Sequence, residues 1–295
     1  MGHCMARARD NAPGSGGAYW MLIPAVAFTL LLIGLPFLYT IYLSLHQFVF
    51  GKDAVFNAGR NYLLMLQDRL FWNGLWVTLL LYAISLTLQM AFGLYLGMLL
   101  DRPVRGRGLL RTILISPFVM PSVVVGMMWL VILDPSIGAA NYVLESLGLP
   151  RSAWLASLHL VVPTIALIDT WQWTPFVALI ILGGMQVLPI EPYEAASIDG
   201  ARRWQTFRYI TLPLLRPALI TAATLRSVDL LRFFDTIYIT TQGGPSNAST
   251  TLNIYAFRVG FEFFDIGYAS AQMITLLAIV FGAVMAFAQL RRHTL

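Results

Sequence analysis

The sequence predicts an all-α membrane protein with six transmembrane helices and both termini in the cytoplasm. Its 295 residues are 58% hydrophobic and only 11% charged, whereas a soluble domain is roughly 45–50% apolar and about 25% charged. So few polar side chains cannot cover a surface that faces water. The composition therefore excludes a soluble globular enzyme, a disordered protein and a coiled coil.

Long stretches without charged residues place the spans. A transmembrane helix needs about 20 mostly apolar residues, because the hydrocarbon layer is about 30 Å thick and each residue adds about 1.5 Å. The stretches 11–51, 70–100 and 112–133 contain no Asp, Glu, Lys or Arg, while the fifth candidate span is weaker because charged residues interrupt it. We predict a cytoplasmic tail over 1–18 and one transmembrane domain over 19–295, with spans at about 19–45, 74–100, 110–133, 158–185, 212–240 and 266–290.

Basic residues are distributed unevenly between the two sides of the predicted bundle. Twelve of the 19 Lys and Arg residues lie in the two tails and in the connections after the second and fourth spans, and five lie in the opposite connections. Because positive charge is retained on the cytoplasmic side of a membrane, both termini are predicted to be cytoplasmic. This pattern requires six spans, and it explains the net charge of +5 without a nucleic-acid partner.

The cytoplasmic connection between the fourth and fifth spans, residues 191–213, is predicted to be structured. Pro192 suits a first helical turn, and the dipole at a helix N-terminus favours the carboxylate of Glu194. Asp199 and Gly200 are expected to end this helix, because glycine readily adopts the left-handed conformation. A second helix then leads to the next span. The sequence thus predicts a helix–turn–helix that either docks on another protein or rests on lipid headgroups.

Two groups of polar and aromatic residues fall inside the predicted spans. Residues three or four positions apart share a helix face, and ionisable groups in a membrane usually face a cavity or one another. The two groups therefore predict either a polar, aromatic-lined route for a solute or charge pairs that only hold helices together. They are Asp169, Gln172, Trp173 and Phe176 on the fourth span, and Arg226, Asp229 and Arg232 on the fifth.

The sequence lacks motifs that would give the chain a chemistry of its own. A Walker phosphate-binding loop needs the pattern G-x-x-x-x-G-K-[ST], but Asp53 follows the only lysine, Lys52, and His46 occupies the first glycine position. The four histidines are scattered, and the single cysteine, Cys4, lies in a polar tail. We therefore expect no catalytic residue, cofactor or metal site in this chain.

Three stretches of the chain carry recognisable motifs. They are Glu194-Ala195-Ala196 with Asp199-Gly200-Ala201, Phe207 and Pro213; Trp173-Thr174-Pro175-Phe176; and Phe234-Asp235 through Gly243-Gly244-Pro245. The first resembles the EAA signature of binding-protein-dependent ABC importer permeases. The other two resemble elements of the carbohydrate-uptake class, which includes maltose, trehalose and glycerol-phosphate permeases. The resemblance extends from about Tyr19 to the end of the chain.

The resemblance implies a heteromeric sugar importer in the bacterial inner membrane. Its other components would be a second permease subunit, two ATPase subunits that bind ATP and Mg²⁺, and an extracytoplasmic solute-binding protein. In that family the EAA segment couples the permease to the ATPase: Glu194 would pair with a basic residue of the ATPase, and Gly200 would make the turn. The implied coupling residues are Glu194, Ala195, Ala196, Asp199, Gly200, Ala201, Trp204, Phe207 and Pro213.

The alternative function is a stand-alone secondary transporter or channel for a small polar solute. Inverted internal repeats would favour it, but the sequence shows none, and it leaves the connection over 191–213 unexplained. A membrane-embedded enzyme would need an acid/base or metal constellation. The polar segment over 240–251 is expected either to touch the binding protein or to be a plain solvent loop.

Overall fold

A computed structural model describes residues 15–101 and 106–292, which are almost entirely helical. The predicted tail is described only from Ser15, and Cys4, Arg102, Arg105 and residues 293–295 lie outside the described ranges. The α-helices are α1 (Ser15–Thr29), α2 (Leu35–Ser44), α3 (Arg60–Gln67), α4 (Arg69–Asp101), α5 (Arg107–Val119), α6 (Ser122–Ile132), α7 (Ala139–Ser146), α8 (Val161–Met185), α9 (Glu191–Ile198), α10 (Arg203–Thr206), α11 (Leu212–Leu214), α12 (Arg216–Leu231), α13 (Asp235–Thr240), α14 (Leu252–Phe261) and α15 (Ile266–Arg292). A two-stranded antiparallel sheet pairs β1 (His46–Gln47) with β2 (Val55–Phe56), and π-helical turns occupy Leu30–Gly34 and Phe207–Thr211.

Several helices are long and apolar enough to cross a membrane. Within the described ranges there are four, or five if a bent pair counts as one span. The four are Leu22–Ser44, Arg69–Asp101, Val161–Met185 and Ile266–Arg292, and the bent pair is Arg111–Val119 with Ser122–Ile132. The four single helices coincide with the first, second, fourth and sixth predicted spans. The chain is thus an all-helical membrane protein.

The third predicted span is bent. The predicted span over 110–133 is built from two helices and not from one straight helix, because α5 and α6 meet at an angle of 100°. Met120, between them, has an extended ψ of 135°. A proline lacks the N–H that a helix needs and disfavours the helical conformation of the residue before it. Pro121 therefore accounts for the break.

The fifth predicted span is also interrupted. The predicted span over 212–240 is not one helix, because α12 ends at Leu231 and α13 begins only at Asp235, and whether the segment crosses the membrane stays a prediction. At about 1.5 Å per residue, α12 is shorter than a hydrocarbon layer of about 30 Å. A broken helix is tolerated at membrane depth where its free backbone groups face protein or a cavity. The break over 232–234 lies at such a cavity, described below.

The centre of the bundle is the crossing of α4 and α8. On α8, Val177 and Ile181 are fully buried. On α4, Gly93 and Gly97 lie against them, and a Cβ atom added to Gly93 would lie 2.5 Å from a methyl carbon of Val177. This G-x-x-x-G spacing lets two helix backbones approach closely in a membrane. It also fixes which residues of the preceding turns meet.

The segment after α13 folds back onto the molecule. Ser249, Thr250 and Thr251 are buried. The hydroxyl of Thr250 donates to the carbonyl of Gly243 at 2.9 Å, and Arg258 donates to the side-chain oxygen of Asn247 at 2.9 Å. The expectation of a plain solvent loop over 240–251 is therefore wrong. Contact of this segment with a binding protein stays a prediction.

Candidate functional site

Three polar side chains from three helices meet at the centre of the bundle. Gln89 of α4, Asp169 of α8 and Arg226 of α12 are each at most 1% exposed. Arg226 Nη2 donates to Asp169 Oδ2 at 3.1 Å, and Arg226 Nε donates to Gln89 Oε1 at 2.8 Å. Gln89 Nε2 donates to Asp169 Oδ2 at 2.5 Å. We call this closed set of hydrogen bonds the buried triad.

The packing of α4 explains how the buried triad is assembled. Gln89 lies one helical turn before Gly93, on the face that contacts α8. Removing an ion pair from water costs several kcal/mol per ion, and only good geometry with further hydrogen bonds offsets that cost. Gln89 supplies these bonds, because it donates to the carboxylate and accepts from the guanidinium. The pair between Asp169 and Arg226 is therefore held within this chain.

A cavity of about 380 Å³ opens beside the buried triad. Arg226 Cζ lies 4.2 Å from the ring centroid of Trp173, a distance at which a cation is attracted to an aromatic face. Arg226 Nη1 is buried, and among residues 15–101 and 106–292 it has no hydrogen-bond partner. The wall thus offers a guanidinium donor, carboxylates and an aromatic face. The lining residues are Ser122, Asp169, Trp173, Arg226, Asp229, Arg232, Phe233, Phe234, Asp235 and Asn253.

Charged side chains continue from the buried triad toward the open side of the cavity. Asp229 lies between two arginines, with Oδ2 3.6 Å from Arg226 Nη1 and Oδ1 3.3 Å from Arg232 Nη2. The exposed fraction rises along this series, from 1% for Arg226 to 39% for Asp229 and 59% for Arg232. The predicted Arg–Asp–Arg arrangement is confirmed. Within the described ranges, no group of three His, Cys, Asp or Glu side chains could hold a metal ion.

Two residues predicted to line the route, Gln172 and Phe176, are not part of the wall of this cavity but lie next to residues that are. Gln172 Nε2 donates to the carbonyl of Met120 at 3.0 Å, so it satisfies the backbone where α5 and α6 break. Phe176 packs against Phe118, with ring centroids 5.3 Å apart. Their predicted role in the route stays a prediction, since these contacts are with residues beside the cavity.

Some residues of the buried triad and of the cavity wall escaped the sequence analysis. Gln89 is the central one, and its signal is an amide one turn before a G-x-x-x-G pair inside a charge-free span. Phe233 and Asn253 line the cavity from the break after α12 and from α14. Their positions follow from the interruption of the fifth span, which the hydropathy pattern does not predict.

Residues 191–213, which we call the elbow, form two helical arms joined by a tight turn. The first arm, α9, begins three residues before Glu194. Gly200 has a φ of +69°, and the N–H of Ala201 donates to the carbonyl of Ala196 at 2.9 Å, which closes the helix end. The second arm is not the single helix expected over 201–210, because α10 gives way to the π-helical turn from Phe207.

The elbow exposes three large apolar side chains among its charged ones. Ile198, Trp204 and Tyr209 are 84%, 68% and 74% exposed, and exposed apolar patches commonly mark interaction surfaces. Between the arms lies a shallow groove of about 470 Å³. Of the predicted coupling residues, Glu194, Ala195, Asp199, Gly200 and Trp204 are exposed, Ala201, Phe207 and Pro213 are half-buried, and Ala196 is buried.

Residues 89–291 match the model of a family described as the binding-protein-dependent transport system inner membrane component. This stretch includes the buried triad and the elbow. The chain is 39% identical to a probable ABC transporter permease protein of Sinorhizobium fredii, covering 85% of this chain and 82% of the relative. It is 36% identical to the trehalose/maltose transport system permease protein of Thermococcus litoralis, covering 93% of each chain.

A solved structure has the same fold. It is a chain of a bacterial alginate ABC transporter, solved in complex with an alginate pentasaccharide-bound periplasmic protein. The TM-score is 0.82, at 24% identity and with 95% of each chain covered. This likeness concerns the fold alone.

Proposed function

The chain belongs to the binding-protein-dependent transport system inner membrane components, and from this membership we propose that it forms the translocation pathway of an ATP-driven carbohydrate importer. It is a multi-pass subunit of the inner membrane and the non-catalytic permease of an ABC importer. The alternative of a stand-alone secondary transporter does not agree with this membership.

The cavity beside the buried triad carries the proposal of a sugar pathway. Sugars present hydroxyl groups, which pair with carboxylates and guanidinium donors, and apolar ring faces, which pack on aromatic side chains. The wall combines these groups around Trp173, Arg226 and Asp229. Its volume of about 380 Å³ falls within the usual range of about 300–1,000 Å³ for small-molecule sites.

The charges of the cavity favour an uncharged sugar. Two arginines and three carboxylates line it, so the positive charge is offset. Arg226 is held by Asp169 and Asp229, and Arg232 is held by Asp229. An anionic solute would have to compete with these carboxylates. The relative from Thermococcus litoralis is named for trehalose and maltose, which agrees with an uncharged substrate.

The elbow is proposed to couple the permease to a separate ATPase. Its apolar outer side chains and the carboxylate of Glu194 are exposed, so they are available to a partner. Trp204 and Phe207, whose ring centroids are 5.4 Å apart, would enter a cleft of the ATPase as one aromatic unit. ATP and Mg²⁺ would bind to that partner chain, and nucleotide-driven movement would reach the bundle through Pro213 into α12.

The proposed topology keeps six membrane crossings. The bent α5–α6 pair would make the third, and α12 followed by α13 would make the fifth, with the break over 232–234 at the cavity. Both termini and the elbow would then face the cytoplasm. The proposed assembly contains a second permease, two ATPase subunits and an extracytoplasmic binding protein. The alginate transporter was itself solved with a periplasmic protein.

Asp229→Ala tests the pathway. It leaves the buried triad intact but frees both neighbouring arginines, so we expect ATP-driven sugar uptake by the reconstituted complex to fall about tenfold or more. The sugar is first identified by thermal shift of the proposed solute-binding protein. Glu262→Ala, an exposed carboxylate away from the cavity, is the matched control. Normal uptake by a normally assembled Asp229→Ala complex would contradict the proposal.

A further inference from the structure

A second groove lies between α12 and the C-terminal end of α15. It is separate from the cavity beside the buried triad. Its volume is about 420 Å³. Its wall is mainly apolar and includes Leu225, Val284, Phe287 and Ala288. Arg291 and Arg292 close one end.

The length of the groove fits one leaflet of a membrane. On α15 it runs from Val284 to Arg292, and on α12 it runs from Ile220 to Leu225. At about 1.5 Å per residue, the α15 side is roughly 12 Å long, close to half of a hydrocarbon layer of about 30 Å. The apolar wall therefore lies at the depth of acyl chains, and the arginines lie at the depth of headgroups in the proposed orientation.

The charge at the end of the groove is positive along both helices. α15 contains no Asp or Glu between Ile266 and Arg292, and α12 contains none before Asp229, which pairs with arginines at the cavity. Basic pockets between transmembrane helices on the cytoplasmic side recognise anionic lipid headgroups. Arginine also suits phosphate recognition, because its planar fork can donate two parallel hydrogen bonds.

We propose that this groove binds an anionic phospholipid, with an acyl chain along Leu225, Val284 and Phe287 and the phosphate at Arg291 and Arg292. A neutral lipid would fill the same apolar wall, but its headgroup would bring no net negative charge to the arginines. A helix of a second protein chain would cover the wall without requiring the charge. The combination of an apolar trough of leaflet length with a basic end favours the anionic lipid over both.

The test measures lipid retention by the full-length chain. The protein is reconstituted in vesicles of equal parts phosphatidylcholine and phosphatidylglycerol, re-extracted in mild detergent, and analysed by mass spectrometry for retained lipid. We expect phosphatidylglycerol to be retained in preference to phosphatidylcholine. Arg292→Gln should lower that retention about fivefold, since one basic residue near an anionic surface contributes about 1 kcal/mol. Arg292→Lys should retain most of it.

Two further variants separate a site from general surface charge. Ala288→Phe fills the groove while leaving both arginines, and should also lower phosphatidylglycerol retention. Arg111→Gln removes one exposed charge from α5, away from the groove, and should leave retention unchanged. The proposal would be overturned if Arg292→Gln and Arg111→Gln lost phosphatidylglycerol equally, or if Ala288→Phe retained it fully. It would also be overturned if the wild-type protein retained phosphatidylglycerol and phosphatidylcholine equally. None of these outcomes depends on sugar uptake or on ATPase binding.

Discussion

The buried triad and the elbow differ in which side chains they bury. The triad buries charged and polar side chains that bond one another, whereas the elbow exposes large apolar side chains. In the buried triad, Asp169 and Arg226 are each 1% exposed and bind one another and Gln89. In the elbow, Trp204 and Tyr209 are 68% and 74% exposed, although they belong to a helical segment with a hydrogen-bonded turn at Gly200.

This difference separates what the chain does alone from what it does with partners. A buried ion pair with its own hydrogen bonds can only be disturbed from within the bundle. A folded segment that exposes large apolar side chains gains stability when another surface covers them. We therefore expect variants of the buried triad to affect folding, and variants of the elbow to affect assembly while the chain stays folded.

Asp169→Ala should produce the largest effect. It leaves the guanidinium of Arg226 buried and without its main partner, and removing one member of a buried ion pair costs about 3–5 kcal/mol. Thermal unfolding of the purified protein in detergent should show a correspondingly large loss of stability, and the yield of assembled complex should fall.

A triple variant sharpens this prediction. Gln89→Leu, Asp169→Leu and Arg226→Met together remove every polar group of the buried triad, and replacing a buried ionic cluster with apolar residues is often neutral or stabilising. We expect thermal stability to recover relative to Asp169→Ala, while sugar uptake stays low because the cavity has lost its polar wall. If the triple variant transports normally, the buried triad only holds helices together.

Glu194→Lys should leave the fold intact and disrupt assembly. Glu194 is exposed on α9, so reversing its charge has little effect within the chain, where surface substitutions usually change stability by less than about 0.5 kcal/mol. Co-purification of the ATPase should be lost, while the thermal unfolding midpoint stays close to that of the wild type. Glu262→Lys is the control, because it reverses an exposed charge outside the elbow. Normal ATPase binding by Glu194→Lys would refute the docking role.

The features that depend on local chemistry could be predicted from sequence. Charge-free stretches located the long helices, because burying charge in hydrocarbon is costly. Spacing of three along one helix predicted that Asp229 lies between Arg226 and Arg232, and the Asp199-Gly200 pair predicted the turn of the elbow. Each of these inferences needs only the geometry of a single helix or turn.

The features that depend on contacts between helices could not be predicted in the same way. The sequence around Gln89 does not indicate which residues it binds. Its partners lie on α8 and α12, and the close packing of α4 on α8 at Gly93 brings Gln89 to them. The hydropathy pattern indicated a weak fifth span but did not locate the break after Leu231, since it averages over that break. Gln172 shares a helix with Trp173, but its neighbour is Met120, which is set by the bend at Pro121.

Asp68 provides an intermediate case, with the smallest expected effect. Burial raises its pKa, but hydrogen bonds donated by Tyr255 and Tyr268, at 2.5 Å and 2.7 Å, together with the N–H of Leu70, outweigh burial and lower the pKa below its usual value. This carboxylate therefore stabilises the fold at neutral pH, and the contribution is lost as the pH falls through the lowered pKa.

Asp68→Asn should accordingly cost about 1–2 kcal/mol at neutral pH, because a hydrogen bond to a charged group contributes about 1.5–3 kcal/mol and the amide oxygen can still accept one bond. Thermal unfolding of wild type and variant over a pH series should show the difference shrinking toward low pH, where the wild-type carboxyl is also protonated. ATPase co-purification should not change, since Asp68 precedes α4 and contacts α14 and α15 rather than the elbow. A stability difference that persists unchanged at low pH would show that the side chain acts through packing and not through its charge.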